Sequence, residues 1–320
     1  MKGVNTSPQV VEVTENLSYL PVVLSRPIHY DGPTANLTRH TQSKEPPEFR
    51  VVADDPVMLA LSRAAANGGI PVPFICAAHS IHPGCRHHDR RPTYEEDFCH
   101  RSNLWDTLTR TEPGSYYSRL YPISATGGIF SDKVVVYLGP RDKYEMLDPI
   151  PNLPVVSVPP KRRPAVKRNG TKYESKLDIL DMIEKIHGAL CICLSHNYYR
   201  IVIGDFGLGD GYHNPPQAVA EIWRDLLLFD PDICGQFKSV DFAFVDPMQS
   251  TTQWFRDERQ KDNERRRICA LANGGTSSTS TKRARPLYSL PAPTDMAIFQ
   301  SVFDKKEIER VMQEALRVGR

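Results

Sequence analysis

Short runs of β-branched and aromatic residues alternate with longer stretches of helical spacing between residues 49 and 247. This alternation restricts the possible folds more than any other feature of the chain. "FRVVA" (Phe49 to Ala53), "VPFICAA" (Val72 to Ala78), "KVVVYL" (Lys133 to Leu138), "LPVVSVP" (Leu153 to Pro159), "RIVI" (Arg200 to Ile203) and "SVDFAFVDP" (Ser239 to Pro247) read as strands. Asp55 and Pro56 suit the cap and first position of a helix that Gly68 and Gly69 end. A second helix is predicted over about 95–109. Leu177, Leu180, Ile183, Ile186 and Leu190 form one apolar stripe, and Val219, Ile222, Leu226 and Phe229 form another. Apolar strands separated by helices imply a largely parallel sheet covered on both faces, an α/β fold. In such sheets ligands bind outside the carboxyl ends of the strands. The loops that follow strands are therefore where function is sought.

The 320 residues suit one large domain or two small ones. We read residues 1–48 as an extension partly packed on the body, 49–250 as the body, and 251–320 as a basic flexible linker followed by an amphipathic helix. "GGTSSTSTKRARP" is the flexible part, with 274–285 expected to be mobile and dispensable for binding. "KRAR" within it resembles a nuclear-import signal. The closing "TDMAIFQSVFDKKEIERVMQEALRVGR" is expected to dock on the body as one helix. With 40 Lys and Arg against 38 Asp and Glu, the net charge of +2 gives no reason to expect a nucleic-acid partner. The basic run "KRRPAVKR" (Lys161 to Arg168) reads as a solvated loop. Seven cysteines with no CxxC pair fit a reduced intracellular protein, cytoplasmic or nuclear. No apolar run suits a signal peptide or a membrane span. The sequons at Asn16, Asn36 and Asn169 therefore read as chance matches.

Two strand-to-helix loops carry the chemistry. "HPGCRHHDRRPTYEEDFCHRS" (His82 to Ser102) follows the second strand. "GDFGLGDGYHNPP" (Gly204 to Pro216) follows "RIVI". In the second loop Gly204, Gly207, Gly209 and Gly211 precede a helix start, an arrangement that can turn backbone N–H groups and a helix dipole toward a phosphate. Taken alone, the loop also fits an ordinary tight turn. Likewise, Glu95 and Glu96 fit two solvated acids in the first turn of a helix. His79, His82, Cys85, His87, His88, Cys99 and His100 offer zinc-ligand types, but in neither CxxC nor HxxxH form, so no metal is expected. Cys85 beside His82 or His87 could also act as a thiolate nucleophile.

Together the two loops resemble the macrodomain-like, microbial-type poly(ADP-ribose) glycohydrolases. Those proteins carry a Pro-Gly-Gly-Gly loop, a short gap and a Gln-Glu-Glu that opens a helix. Here "PGCR", seven residues and "YEEDFCHRS" stand in that register, and the likeness spans roughly residues 49–247. The resemblance implies a three-layer α/β/α macrodomain-like mixed sheet. It implies binding of ADP-ribose or an ADP-ribosylated protein and hydrolysis of a ribose O-glycosidic bond. Glu96 would be the acid/base and Glu95 the group holding ribose hydroxyls. Gly84, Cys85, Arg86, Gly204, Gly207, Gly209 and Gly211 would surround the diphosphate. Tyr212 would pack near the distal ribose, and Asp55 would face the adenine amine or simply cap its helix. No cofactor, membrane or metal is implied. The departures are Cys85 and Arg86 in place of two glycines and Tyr94 in place of Gln. Arg86 could reach a phosphate directly. A non-catalytic reader of ADP-ribose with a degenerate loop is the alternative to a hydrolase.

Overall fold

Successive residues of one strand enter different cores. The protein is described here from a computed structural model covering residues 28–30, 45–84, 93–109, 120–209, 211–272 and 291–318. In β3 (Phe74–Ala77), Phe74 and Cys76 pack on one face and Ile75 on the other. In β6 (Arg200–Ile203), Val202 opposes Ile201 and Ile203 in the same way. This is the two-residue period of a strand buried on both sides.

The other strands are β1 (Ile28–Tyr30), β2 (Glu48–Val52), β4 (Gly128–Val135), β5 (Asn152–Val158) and β7 (Ser239–Ala243). They form one seven-stranded sheet in the order β1-β4-β5-β3-β6-β7-β2. The run from β5 to β2 is parallel, while β4 and β1 add antiparallel at one edge. α1 (Pro56–Ala66), α2 (Tyr94–Arg101) and α3 (Leu104–Thr109) cover one face through Val57, Phe98, Leu104 and Leu108. α4 (Lys176–Ser195) and α5 (Pro216–Phe229) cover the other through Ile186, Leu190, Val219 and Trp223. The result is the three-layer α/β/α mixed sheet.

Several elements differ from the sequence reading, for identifiable reasons. The helix expected over 95–109 is broken after Arg101. Asn103 exchanges hydrogen bonds with β4: its N–H donates to the Val135 carbonyl (3.0 Å), and its Oδ1 accepts from the Val135 N–H (2.8 Å). Ser102 Oγ meanwhile donates to the Phe98 carbonyl at 2.6 Å, closing α2. Leu177 and Leu180 are exposed, because the buried face of α4 runs through Met182, Ile186, Ala189 and Cys193 instead. Met182 turns inward to pack against Gly207 of the second loop.

Among the described residues after 250 lie the helices α6 (Thr251–Ala272), α7 (Asp295–Val302) and α8 (Lys305–Val318). The closing stretch is thus two helices, parted at Phe303. Ile298, Phe299, Val302, Phe303 and Ile308 are buried in the same core as Trp223 and Phe242. Phe242 meets Phe303 at 4.6 Å and Phe299 at 5.2 Å between ring centroids. The packed body therefore reaches past residue 250. The segment 274–285 lies outside the described residues.

Candidate active site

β3 and β6 are neighbours and parallel, so the loops that leave their carboxyl ends share one rim of the sheet. Their proximity is fixed by a direct bond. Tyr212, 8% exposed, donates its hydroxyl to the Ala78 carbonyl just beyond β3 at 2.8 Å. A third loop joins them from β5. The Arg163 N–H donates to the Tyr212 carbonyl at 2.7 Å, and Arg162 Nε donates to the Gly211 carbonyl at 3.2 Å.

Arg162 also stands beside His79, with Nη1 3.3 Å from Nε2. His79 Nδ1 accepts from the N–H groups of Ile81 (3.1 Å) and His82 (3.2 Å). Arg162 thereby brings a guanidinium to the carboxyl edge of the sheet, between the first and second loops. The basic run after β5 is therefore part of the rim, not only a solvated loop. The sequence signal for it was present: "KRRP" directly follows the carboxyl end of a parallel strand, where ligands bind.

The glycines of the second loop serve its shape first. Gly207, Gly209 and Gly211 have φ of 77°, 59° and 96°, in the left-handed region that side chains disfavour. A Cβ on Gly207 would come within 3.0 Å of Met182, Pro160 and Asn214, and one on Gly209 would collide with the Gln249 amide. Several N–H groups that the sequence suggested for a phosphate have partners inside the protein. Phe206, Leu208, His213 and Asn214 donate to loop carbonyls, and Gly209 donates to Thr251 Oγ1 at 3.0 Å. Thr251 is held in turn by Asp295 at the start of α7 (Oγ1 to Oδ2, 2.6 Å). Gly204 lies at the strand end, against Phe74 and Pro56.

The two adjacent glutamates face different ways. Thr93 caps α2 by accepting from the Glu96 N–H at 3.3 Å, and the acids occupy the first turn, where the helix dipole favours them. Glu95 is 1% exposed. Its Oε2 accepts from the His79 N–H at 2.8 Å, and its Oε1 accepts from the Tyr121 hydroxyl at 3.4 Å. Burial pushes its carboxyl up to about 8, against the opposing pull of these donors. Both oxygens thus meet donors of the protein, at the residue to which the resemblance gave the ribose hydroxyls. Glu96, by contrast, lines a cavity of about 810 Å³ together with His82, Gly84, Cys99 and Trp105. Gly84, at φ 47°, lets the chain turn there; a Cβ would sit 2.9 Å from Cys99 Sγ. Cys85 and Arg86 lie outside the described residues.

Asp55 lies beneath α2. Its Oδ1 accepts from the Met58 N–H (3.0 Å), and Arg101, fully buried, bonds both carboxylate oxygens at 2.8 and 3.0 Å. Tyr94, which stands in place of the Gln, donates its hydroxyl to Asp55 Oδ2 at 2.9 Å. The Tyr94 departure therefore gains a structural partner, and Asp55 ties α1 to α2. Cys99 has a thiol pushed well above its ordinary range by burial, the opposite of what a nucleophile needs. Among the described residues, the grouping with metal-ligand types in reach of one another is His187, Asp230 and Asp232. It joins His187 of α4 to two acids just past the carboxyl end of α5, and includes none of the histidines or cysteines of the first loop.

No protein-family model and no curated protein sequence matches the chain. Solved structures do. A poly(ADP-ribose) glycohydrolase from Thermomonospora curvata superposes with a TM-score of 0.54 at 21% identity, covering 68% of this chain and 77% of that one. A poly(ADP-ribose) glycohydrolase from Deinococcus radiodurans in complex with ADP-ribose gives 0.50 at 21% identity, covering 69% and 87%. The T. curvata protein bound to the inhibitor ADP-HPD gives 0.50 at 21%, covering 64% and 76%. With its sheet order, its helical layers and its paired loops, the chain has the fold of the microbial poly(ADP-ribose) glycohydrolases.

Proposed function

We propose that this protein is an ADP-ribosyl glycohydrolase, binding ADP-ribose across the rim formed by the loops after β3, β5 and β6. The observation that carries the reading is the division of labour in the first turn of α2. One carboxyl is locked into the protein, and the next lines an open cavity on the same helix. In this reading the diphosphate lies near Arg162, whose guanidinium stands beside His79 at the carboxyl edge of the sheet. Breaking a ribose glycosidic bond builds positive charge at the anomeric carbon and negative charge on the leaving oxygen. Glu96, protonated, donates its proton to that oxygen; as carboxylate it then takes a proton from the attacking water. Glu95 acts as a positioning residue. Its bonds to His79 and Tyr121 fix the start of α2 against the end of β3, and so fix Glu96.

Two measurements test this: calorimetry with ADP-ribose, and release of ADP-ribose from poly(ADP-ribose). Glu96→Gln keeps the shape of the side chain but cannot shuttle a proton. It should cut release by about 10²–10⁴-fold while leaving ADP-ribose affinity nearly unchanged. Equal release by parent and variant would remove Glu96 from the mechanism. Binding without release in the parent itself would favour the reader of ADP-ribose, with its altered Cys85-Arg86 loop, over the hydrolase.

A further inference from the structure

α4 carries a half-buried histidine, His187, that meets two acids from a different element. Cys191, one turn further along the helix and 2% exposed, sets its Sγ 3.6 Å from Nδ1 and 3.8 Å from Nε2 of that ring. Nε2 faces Asp230, the residue that closes α5, with Oδ1 at 3.5 Å. The Asp232 N–H donates to the same Oδ1 at 3.0 Å, so the turn after α5 brings its second carboxylate beside the first. Ligand atoms of His187, Asp230 and Asp232 all lie within 4.8 Å of one another. Further bonds hold the turn in shape. The N–H groups of Ile233 and Cys234 donate to the Asp230 carbonyl at 3.2 and 2.8 Å, and Cys234 Sγ donates to the Leu228 carbonyl at 2.9 Å.

The spacing separates a hydrogen bond from a shared ion. An imidazole hydrogen-bonded to a carboxylate approaches to roughly 2.7–3.2 Å. A nitrogen and an oxygen on one tetrahedral zinc, each about 2.0–2.2 Å from it, stand roughly 3.4 Å apart. Nε2 and Asp230 Oδ1 keep the second spacing. The donor set has matching chemistry: imidazole suits zinc, and two carboxylates offset the charge of a divalent ion. Magnesium and calcium, which take oxygen ligands, gain little from the imidazole. Burial, with Asp230 and Asp232 nearby, pushes the Cys191 thiol up to about 12, so it stays a neutral neighbour that steadies the ring. We propose that His187, Asp230 and Asp232 form a zinc site, with water completing the shell. The ion ties α4 to the turn between α5 and β7. The site is independent of the glycohydrolase reading, and it is hidden in the sequence because its ligands come from separate elements rather than one short motif.

The test uses the full chain, stripped with a chelator and titrated with zinc chloride by calorimetry, with thermal unfolding followed in parallel. The parent should bind zinc and gain about 5–10 °C in Tm at an ion concentration of about 100 times Kd. Asp232→Ala removes an exposed ligand from a surface turn. It should lower zinc affinity about a hundredfold or more and abolish the gain in Tm, as should His187→Ala. Changing His87 and His88 of the first loop to alanine should leave both signals as in the parent. Were His187→Ala to unfold, Asp232→Ala still decides the matter. Zinc bound as tightly by Asp232→Ala as by the parent sits elsewhere on the chain and overturns the assignment, as does a parent that binds no zinc. An equal response to magnesium chloride would reveal only a patch of negative charge, and would overturn it too.

Discussion

Replacing Glu95 by Gln should flatten the pH dependence of stability. The carboxyl is 1% exposed, and burial raises its pKa from an ordinary 4.5 to about 8. At pH 4.5 and below, folded and unfolded chains both hold the proton, and the group costs little. As the pH rises toward 8, the unfolded chain releases a proton that the folded chain keeps, so stability falls. Above about 8 both forms are ionised and the full deficit is present. Between pH 5 and 9 the working interval is 8 − 5 = 3 pH units, or about 4 kcal/mol at 1.36 kcal/mol each. That is a large share of the roughly 5–15 kcal/mol that holds a domain folded. The variant keeps the geometry: its amide oxygen can accept from the His79 N–H, and its NH₂ can donate to the Tyr121 hydroxyl. Urea unfolding at pH 5, 7 and 9 reads the effect directly. The parent should lose about 4 kcal/mol more than Glu95→Gln across that range, a difference of roughly 1–2 M in midpoint. Asp205 and Asp295, each raised to about 6 by burial, titrate in both proteins and cancel in the comparison. Curves that fall together within about 1 kcal/mol would show that Glu95 is already ionised in the folded protein, and the argument from its burial would be wrong.

Other expectations follow from particular contacts. Asp55→Ala leaves the fully buried Arg101 without its bidentate partner and should cost about 3–5 kcal/mol, seen in urea midpoints. Arg162→Ala should leave the fold intact and weaken ADP-ribose binding about tenfold or more, the worth of one charge-assisted hydrogen bond, measured by calorimetry. Deleting residues 291–320 strips Phe299, Phe303 and Ile308 from the core around Phe242. The shortened protein should fail to fold by near-UV circular dichroism, whereas deleting only 274–285 should leave its spectrum unchanged.

The sheet and its two helical layers were legible from sequence because burial on both faces forces continuous apolar strands, and the helices between them show one stripe each. The two loops were legible for a similar reason: glycines and a Pro-Gly turn at strand ends announce sharp changes of direction. Sequence placed Glu95 and Glu96 side by side but could not separate them. The helical turn of about 100° between neighbours sends one into the protein and the other into a cavity, and only the packed strands and Tyr121 decide which is buried. Tertiary structure also gave Tyr94 and Asp55 their purpose, since Arg101, 46 residues away from Asp55, supplies the charge that holds them. It assigned Arg162 to the rim, because a basic run looks the same in sequence whether it is solvated or laid against a neighbouring loop. And it drew α7 into the core: an amphipathic stripe near a chain end shows that some surface must cover it, while only the fold shows that Phe242 and Trp223 are that surface.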